Sequence, residues 1–365
     1  MPPGAWRRPL GGRWPSVRTV PAPLRAVTEA SLVSPDPNAA ASTSTPLVPF
    51  AEVRAAAARL RGVAVRTPLL HDTPLDRLVG GRLLIKAEPL QRTGSFKFRG
   101  AYNAIAGTDA GSVVAWSSGN HAQGVALAAS LLGRRATIVM PADAPRIKQE
   151  RTRALGAEIV LYDRARESRE AIGAAIAERT GAAIVRPYDD PKVIAGQGTV
   201  GLEIVEQAAE LGRLPDAVVV CCGGGGLVAG CATALRALLP SVRVWAAEPE
   251  GHDDTARSLA RGERVANPPG VRSFCDALLA PEPGELTFAI NRSLLAGGLV
   301  ASDAEVRRAM RLAFAELKLV VEPGGAVALA AVLAGRLDCR DRTVAVVLSG
   351  GNVDPELYAR ILNEG

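Results

Sequence analysis

From Pro46 onward the chain alternates short β-branched runs with longer alanine-rich ones, and this alternation constrains the fold more than any other feature. Residues 113–116 precede 120–132, residues 136–140 precede 145–155, and residues 158–161 precede 164–179. The series resumes at 217–222, 227–239 and 242–247, and closes with 344–348 before a Gly-Gly loop. Strands joined by helix-length connections pair in parallel, with helices on both faces of the sheet. In such sheets a ligand sits beyond the carboxyl ends of the strands, so the loops there are the place to look for chemistry.

Composition removes the rival classes. The 365 residues are 48% hydrophobic and 22% charged, enough for a sizeable core and far from a disordered, collagen-like or coiled-coil chain. The five cysteines, Cys221, Cys222, Cys231, Cys275 and Cys339, are odd in number and form no CxxC pair. Neither a disulfide framework nor a zinc ribbon fits, and a cytoplasmic, reducing setting is expected. The net charge of +6 comes from arginines spread along the chain, since only five of the 43 basic residues are lysine. Without a basic stripe interleaved with aromatics, which make up 4% of residues, no nucleic-acid partner is expected. The uncharged stretch 217–235 approaches the length of a membrane helix but contains Gly223, Gly224, Gly225 and Gly226, so it reads as strand, tight loop and helix. No membrane partner is expected. Residues 1–45 stand apart: prolines crowd them and five arginines precede the first acid, Glu29. They read as a disordered leader or tail, with an organelle transit peptide as the alternative.

Four loops hold reactive or ligand-binding residue types. In 91–100, QRTGSFKFRG, Lys97 opens a helix, where the positive end of the dipole favours a neutral amine, and it is flanked by Phe96 and Phe98. That makes it a candidate nucleophile, with a solvated surface lysine the alternative. In 117–124, SSGNHAQG, backbone amides at a helix start join Ser117, Ser118, Gly119, Asn120 and His121 in a site suited to a carboxylate. An N-cap explains one such polar residue, not four. The glycine tetrad lets four amides close around a phosphate at a helix N-terminus, yet matches neither the dinucleotide nor the P-loop spacing. In SGGN, Ser349 ends a strand with a hydroxyl that can reach a ring nitrogen or simply cap a helix. Together a lysine, a phosphate cradle, an anion loop and a strand-end hydroxyl describe a pyridoxal-phosphate site.

With those residues in view, the chain from about Pro46 resembles the threonine/serine dehydratase and serine racemase family, fold-type II pyridoxal-phosphate enzymes related to the tryptophan synthase β chain. The resemblance rests on RTPLL, KAEPLQRTGSFKFRGAYN, SSGNHAQGVA, IAGQGT, CGGGGLVAG, AAEP, VEPGGAVALA and LSGGN, eight collinear segments. It implies a two-domain, three-layer parallel-sheet α/β fold, with 46–112 and 187–365 as a large cofactor-binding domain and 113–186 as a small one. It implies that Lys97 carries the cofactor as a Schiff base, with Phe96 packed beside the ring. Asn120 would meet the ring hydroxyl, Gly223 to Gly226 the phosphate, and Ser349 the pyridine nitrogen. The substrate carboxylate would lie on Ser117, Ser118, Gly119, Asn120 and His121. Glu248, His252 and Asp254 match the family's divalent-cation site, the two carboxylates and a backbone carbonyl of His252 suiting Mg or Ca. A homodimer is the family expectation.

The implied reaction is β-elimination of water from L-threonine or L-serine, to 2-oxobutanoate or pyruvate plus ammonia. A neutral serine at the pyridine nitrogen makes a weaker electron sink than an aspartate would, which suits prompt loss of a β-hydroxyl. Lys97 would move the α-proton, and Ser118 is the candidate base on the opposite face. Serine racemisation, 3-hydroxyaspartate dehydration and diamino-acid cleavage are the alternatives within enzymes, and a non-catalytic ligand-binding α/β protein the alternative outside them. Tyr188, at a place where racemases of the family carry asparagine, favours the dehydratase. No regulatory domain, and hence no isoleucine feedback, is expected.

Overall fold

A computed structural model describes residues 47–364 apart from Pro145, so the expected leader at 1–45 lies outside the described residues. In chain order the strands are β1 (Leu69–Leu70), β2 (Arg82–Ala87), β3 (Ser112–Trp116), β4 (Arg135–Pro141), β5 (Glu158–Tyr162), β6 (Ala183–Ile184), β7 (Ala217–Cys221), β8 (Arg243–Pro249), β9 (Gly297–Ala301) and β10 (Thr343–Leu348). They form a six-stranded sheet in the order β1-β2-β10-β7-β8-β9 and a four-stranded sheet in the order β5-β4-β3-β6. Every pairing is parallel except β1 with β2. Both sheets belong to one compact unit.

Burial explains why these strands read as unbroken apolar runs. Every residue of β7 and β10 is buried, because helices cover both faces and leave no polar side. Val219, Val344 and Val346 face the Pro323–Leu333 helix, while Val218, Val220, Ala345 and Val347 pack on Val200, Ile204 and Val228 from the Pro191–Glu210 and Gly226–Leu238 helices. Successive residues alternate faces, so one apolar run supplies two cores. The smaller sheet repeats the arrangement, with Val113 and Ala115 on one face and Val114 and Trp116 on the other.

Two departures from the sequence-based expectation have local causes. The helix expected from 164 begins at Arg169, because Ser168 caps it by accepting from the Ala171 amide at 3.2 Å and 163–167 form a turn closed on the Asp163 carbonyl. β9 opens with Gly297 and Gly298, which contribute no side chain to a strand pattern, and it pairs with β8 nonetheless.

Candidate active site

Phe96, Lys97, the 117–121 loop, Gly223 to Gly226 and Ser349 all line one cleft of about 250 Å³ beyond the carboxyl ends of β3, β7 and β10. The loop carrying Lys97 is held there by β10: Ser95 bridges to Gly350, and the Phe96 amide donates to the Ser349 carbonyl at 3.1 Å. Lys97 is the first residue of the Lys97–Ala106 helix. Its Nζ lies 5.1 Å from the centre of the Phe96 ring and donates to the Pro187 carbonyl at 2.8 Å.

The glycine loop has no room for side chains. A Cβ on Gly224 would stand 2.5 Å from the Tyr188 ring, one on Gly226 would meet the Tyr188 backbone, and one on Gly223 would meet Leu278. Gly225 adopts φ +91° just before the Gly226–Leu238 helix, a conformation that costs glycine nothing. What remains is a bare backbone cradle at a helix N-terminus, suited to a phosphate.

Electrostatics favour a reactive amine. Burial pulls Lys97 down to about 8, and the charge of Glu322 opposes that shift. The cause is therefore desolvation more than the helix start that drew attention in the sequence. Glu322 is itself raised to about 8 by burial, with a hydrogen bond from Asn120 working the other way. His121 is pushed down to about 3, by burial first and then by the Lys97 charge. It is neutral at pH 7; because Nε2 faces the Val185 carbonyl at 2.9 Å, the proton sits there and the imidazole is a structural donor more than a base.

Two residues beyond Lys97, the same helix carries Arg99, which points away from the cleft. Its guanidinium meets both oxygens of Glu88, at 2.9 and 2.8 Å, and both of Glu203, at 2.6 and 2.9 Å. Lys86 completes the cluster with a 2.6 Å bond to Glu203 and others to Gln207 and the Thr67 carbonyl. Burial works against the Arg99 charge, but the two carboxylates overcome it and hold the cation more firmly than usual.

Several cleft residues had no sequence-based role: Glu322, Asn352, Lys148, Arg169 and the 276–281 segment. Glu322 left one signal, as the only charge between Leu319 and Ala334, an otherwise apolar run. Arg169 and Lys148 left none, being two among many surface-like cations. Glu248, His252 and Asp254 lie outside the cleft lining. Glu248 accepts from the Thr255 and Ala256 amides at 2.9 and 2.7 Å. Asp254 Oδ1 accepts from Asn267, while its buried Oδ2 and both ring nitrogens of His252 have no partner. Burial raises Glu248 to about 8, helped by Asp254, and burial raises Asp254 to about 6. Among the described residues no group of three or more His, Cys, Asp or Glu side chains is arranged around a metal position.

A half-buried lysine whose pKa is pulled down to about 8 is an expensive thing for a mere binding protein to keep, and here it shares a cleft with a bare backbone cradle on a parallel sheet. The fold and the cleft together define a fold-type II pyridoxal-phosphate enzyme. The family described as "Pyridoxal-phosphate dependent enzyme" matches residues 60–350. An L-threo-3-hydroxyaspartate ammonia-lyase of a Pseudomonas species is 44% identical over 317 residues, 86% of this chain and 98% of that protein. A serine racemase of Schizosaccharomyces pombe is 37% identical over 320 residues, 86% of this chain and 97% of that one. The crystal structure of a T.th. threonine deaminase superposes with a TM-score of 0.79 at 47% identity, covering 84% of this chain and 99% of that chain. The chain belongs to the pyridoxal-phosphate dependent enzyme family, among its ammonia-lyases and racemases, and is an enzyme of the lyase class. No helix among the described residues is long and apolar enough to cross a membrane.

Proposed function

We propose that the enzyme eliminates water from L-threonine or L-serine, giving 2-oxobutanoate or pyruvate and ammonia. The observation that carries this reading is the shared cleft, which the Lys97 amine lines together with the glycine cradle, Asn120 and Ser349. Gly223 to Gly226 would hold the cofactor phosphate, Asn120 the ring hydroxyl and Ser349 the ring nitrogen, with Phe96 alongside. Pyridoxal phosphate, when bound, supplies the electron sink that makes the substrate Cα–H acidic. Lys97, near neutral pKa, is matched to taking that proton and returning it. Ser117, Ser118, Gly119, Asn120 and His121 bind the substrate carboxylate, and the Ser118 hydroxyl serves the opposite face.

A second substrate, threo-3-hydroxyaspartate, is favoured by two cations in the cleft lining, Arg169 and Lys148. Lys148 is paired with Asp276 at 2.9 Å and Arg169 with its neighbour Glu170, so a substrate β-carboxylate would compete with those carboxylates for the two cations. The deciding measurement is 2-oxo acid release from L-threonine, L-serine and threo-3-hydroxyaspartate, together with chiral analysis of residual serine, in wild type and Ser118→Ala. Elimination should survive the substitution while any inversion is lost. Inversion of serine with little pyruvate formed by the wild type overturns the dehydratase reading in favour of a racemase.

Three further points belong to this reading. Glu248, Asp254 and the His252 carbonyl suit a Mg or Ca ion, the buried unpartnered Oδ2 of Asp254 beside a second carboxylate being what a cation would satisfy. The two sheets correspond to two domains, 113–186 and the larger one formed by 46–112 with 187–365, with the cofactor between them. The enzyme works in the cytoplasm as a homodimer.

A further inference from the structure

Behind Asn120 lies a chain of hydrogen bonds whose direction is fixed at one end. Asn352 Nδ2 donates to the Thr93 carbonyl at 2.7 Å and to Asn120 Oδ1 at 2.8 Å. A carbonyl can only accept, so the Asn352 amide cannot be turned over, and both of its N–H groups are spent. Asn120 must then present its oxygen to Asn352 and its nitrogen to the other side, where Nδ2 donates to Glu322 Oε1 at 2.6 Å. Only one Asn120 N–H is left, and Asn120 lines the cleft.

The backbone is shaped around this chain. Thr93 is a β-branched residue at φ +59°, a conformation such residues avoid, and it aims the carbonyl that sets the direction. A Cβ on Gly94 would stand 2.7 Å from Asn352 Oδ1, and one on Gly350 would stand 2.0 Å from Glu322 Oε1, so each glycine leaves room for one link. Glu322 is buried and caps no helix amide, although it sits at the N-cap of the Pro323–Leu333 helix.

We propose that Glu322 is a positioning residue, the terminal acceptor of a Thr93–Asn352–Asn120–Glu322 chain that turns a single Asn120 N–H into the cleft and so selects the ionised form of the cofactor's ring hydroxyl. An ionised oxygen accepts and cannot donate, which is what one free N–H requires. The inference rests on the reading that Asn120 faces the cofactor ring.

The test measures equilibrium affinity of the apoenzyme for pyridoxal phosphate, with the visible spectrum of the loaded protein as a second readout. Glu322→Leu removes the acceptor and should weaken affinity about tenfold, the size of one charge-assisted hydrogen bond. Glu322→Gln keeps an oxygen for Asn120 and should stay within about twofold of wild type, with an unchanged spectrum. Asn352→Ala should weaken affinity as Glu322→Leu does. In an Asn120→Ala background, either substitution should add less than about twofold, because both act through that amide. Wild-type affinity in Glu322→Leu or Asn352→Ala overturns the proposal. So does an equal loss in Glu322→Gln, or a full loss repeated without Asn120. If Asn120→Ala alone binds the cofactor as wild type does, the placement of Asn120 against the ring has failed first. Melting curves of the apo variants identify any that do not fold, and Asn352→Ala then decides in place of Glu322→Leu.

Discussion

Lys97 and Arg99 stand two residues apart on one helix, Lys97 half-buried on the cleft and Arg99 fully buried, and their surroundings treat them in opposite ways. Arg99 meets four carboxylate oxygens from Glu88 and Glu203 and stays charged. Lys97 meets one neutral carbonyl and a distant Glu322, and its pKa falls to about 8. Arg99 is the more deeply buried of the two, so burial alone would discharge it first; the number of anions within bonding distance decides the outcome instead. One cation is committed to structure, and the other is left able to give up its proton. A helix advances about 100° per residue, so two residues place these side chains on nearly opposite faces, one over the cleft and one in the core.

Substitution at each site separates the two roles. Lys97→Ala should reduce turnover by about three orders of magnitude or more while leaving the melting temperature of the apoenzyme little changed, and turnover assays with calorimetry will show it. A comparable loss of stability would mean that Lys97 is structural too. Arg99→Leu leaves the buried Glu88 without its cation, while Glu203 keeps Lys86, and should destabilise the protein by about 3–5 kcal/mol in denaturant titration. If that variant melts like wild type, the contrast between the two cations collapses.

Proton linkage sharpens the comparison. On the proposed reading Lys97 must be neutral to capture the cofactor, so the rate of apoenzyme reconstitution should rise with pH and level off above about 8. For Glu322 the sign is reversed. Its carboxyl binds a proton at about 8 in the native protein against 4.5 when unfolded, so the stability this group contributes is fully present below 4.5 and is lost as pH rises to 8. Glu322→Gln should flatten that part of the melting-temperature profile of the apoenzyme; an unaltered profile means the carboxyl titrates normally. The smallest effect concerns Glu248 and Asp254, a carboxylate pair without the cation that Arg99 gives Glu88. Millimolar Mg should raise the melting temperature by a few degrees in wild type and not in Asp254→Ala. Equal responses in both place the ion elsewhere.

How much of this was legible beforehand depends on whether a feature is local. The run at 344–348 and the strand Thr343–Leu348 agree because a strand buried on both faces has no choice but to be apolar. Lys97, Asn120, the four glycines and Ser349 could be picked out as candidates because each sits in a short loop of unusual composition, and the structure brings them to one cleft. Glu322 was quoted within VEPGGAVALA but given no role, since its partner Asn120 is 202 positions away. The pairing of Arg99 with Glu203 spans 104 positions and was equally invisible. Such contacts are made by strand order, and nothing in either segment names the other.

Strand order also has a consequence for how the protein is made. β10 lies between β2 and β7, pairing Val344 with both Leu83 and Ala217. On the ribosome, β2 and β7 are synthesised long before the strand that must separate them, and the larger sheet has a gap at its centre until residue 348 has emerged. The loop that carries Lys97 docks on Ser349 and Gly350, at the end of that late strand. On the proposed reading, cofactor capture must then wait until that strand has been made, and a nascent chain stalled earlier has glycines and a lysine but no place in which they meet.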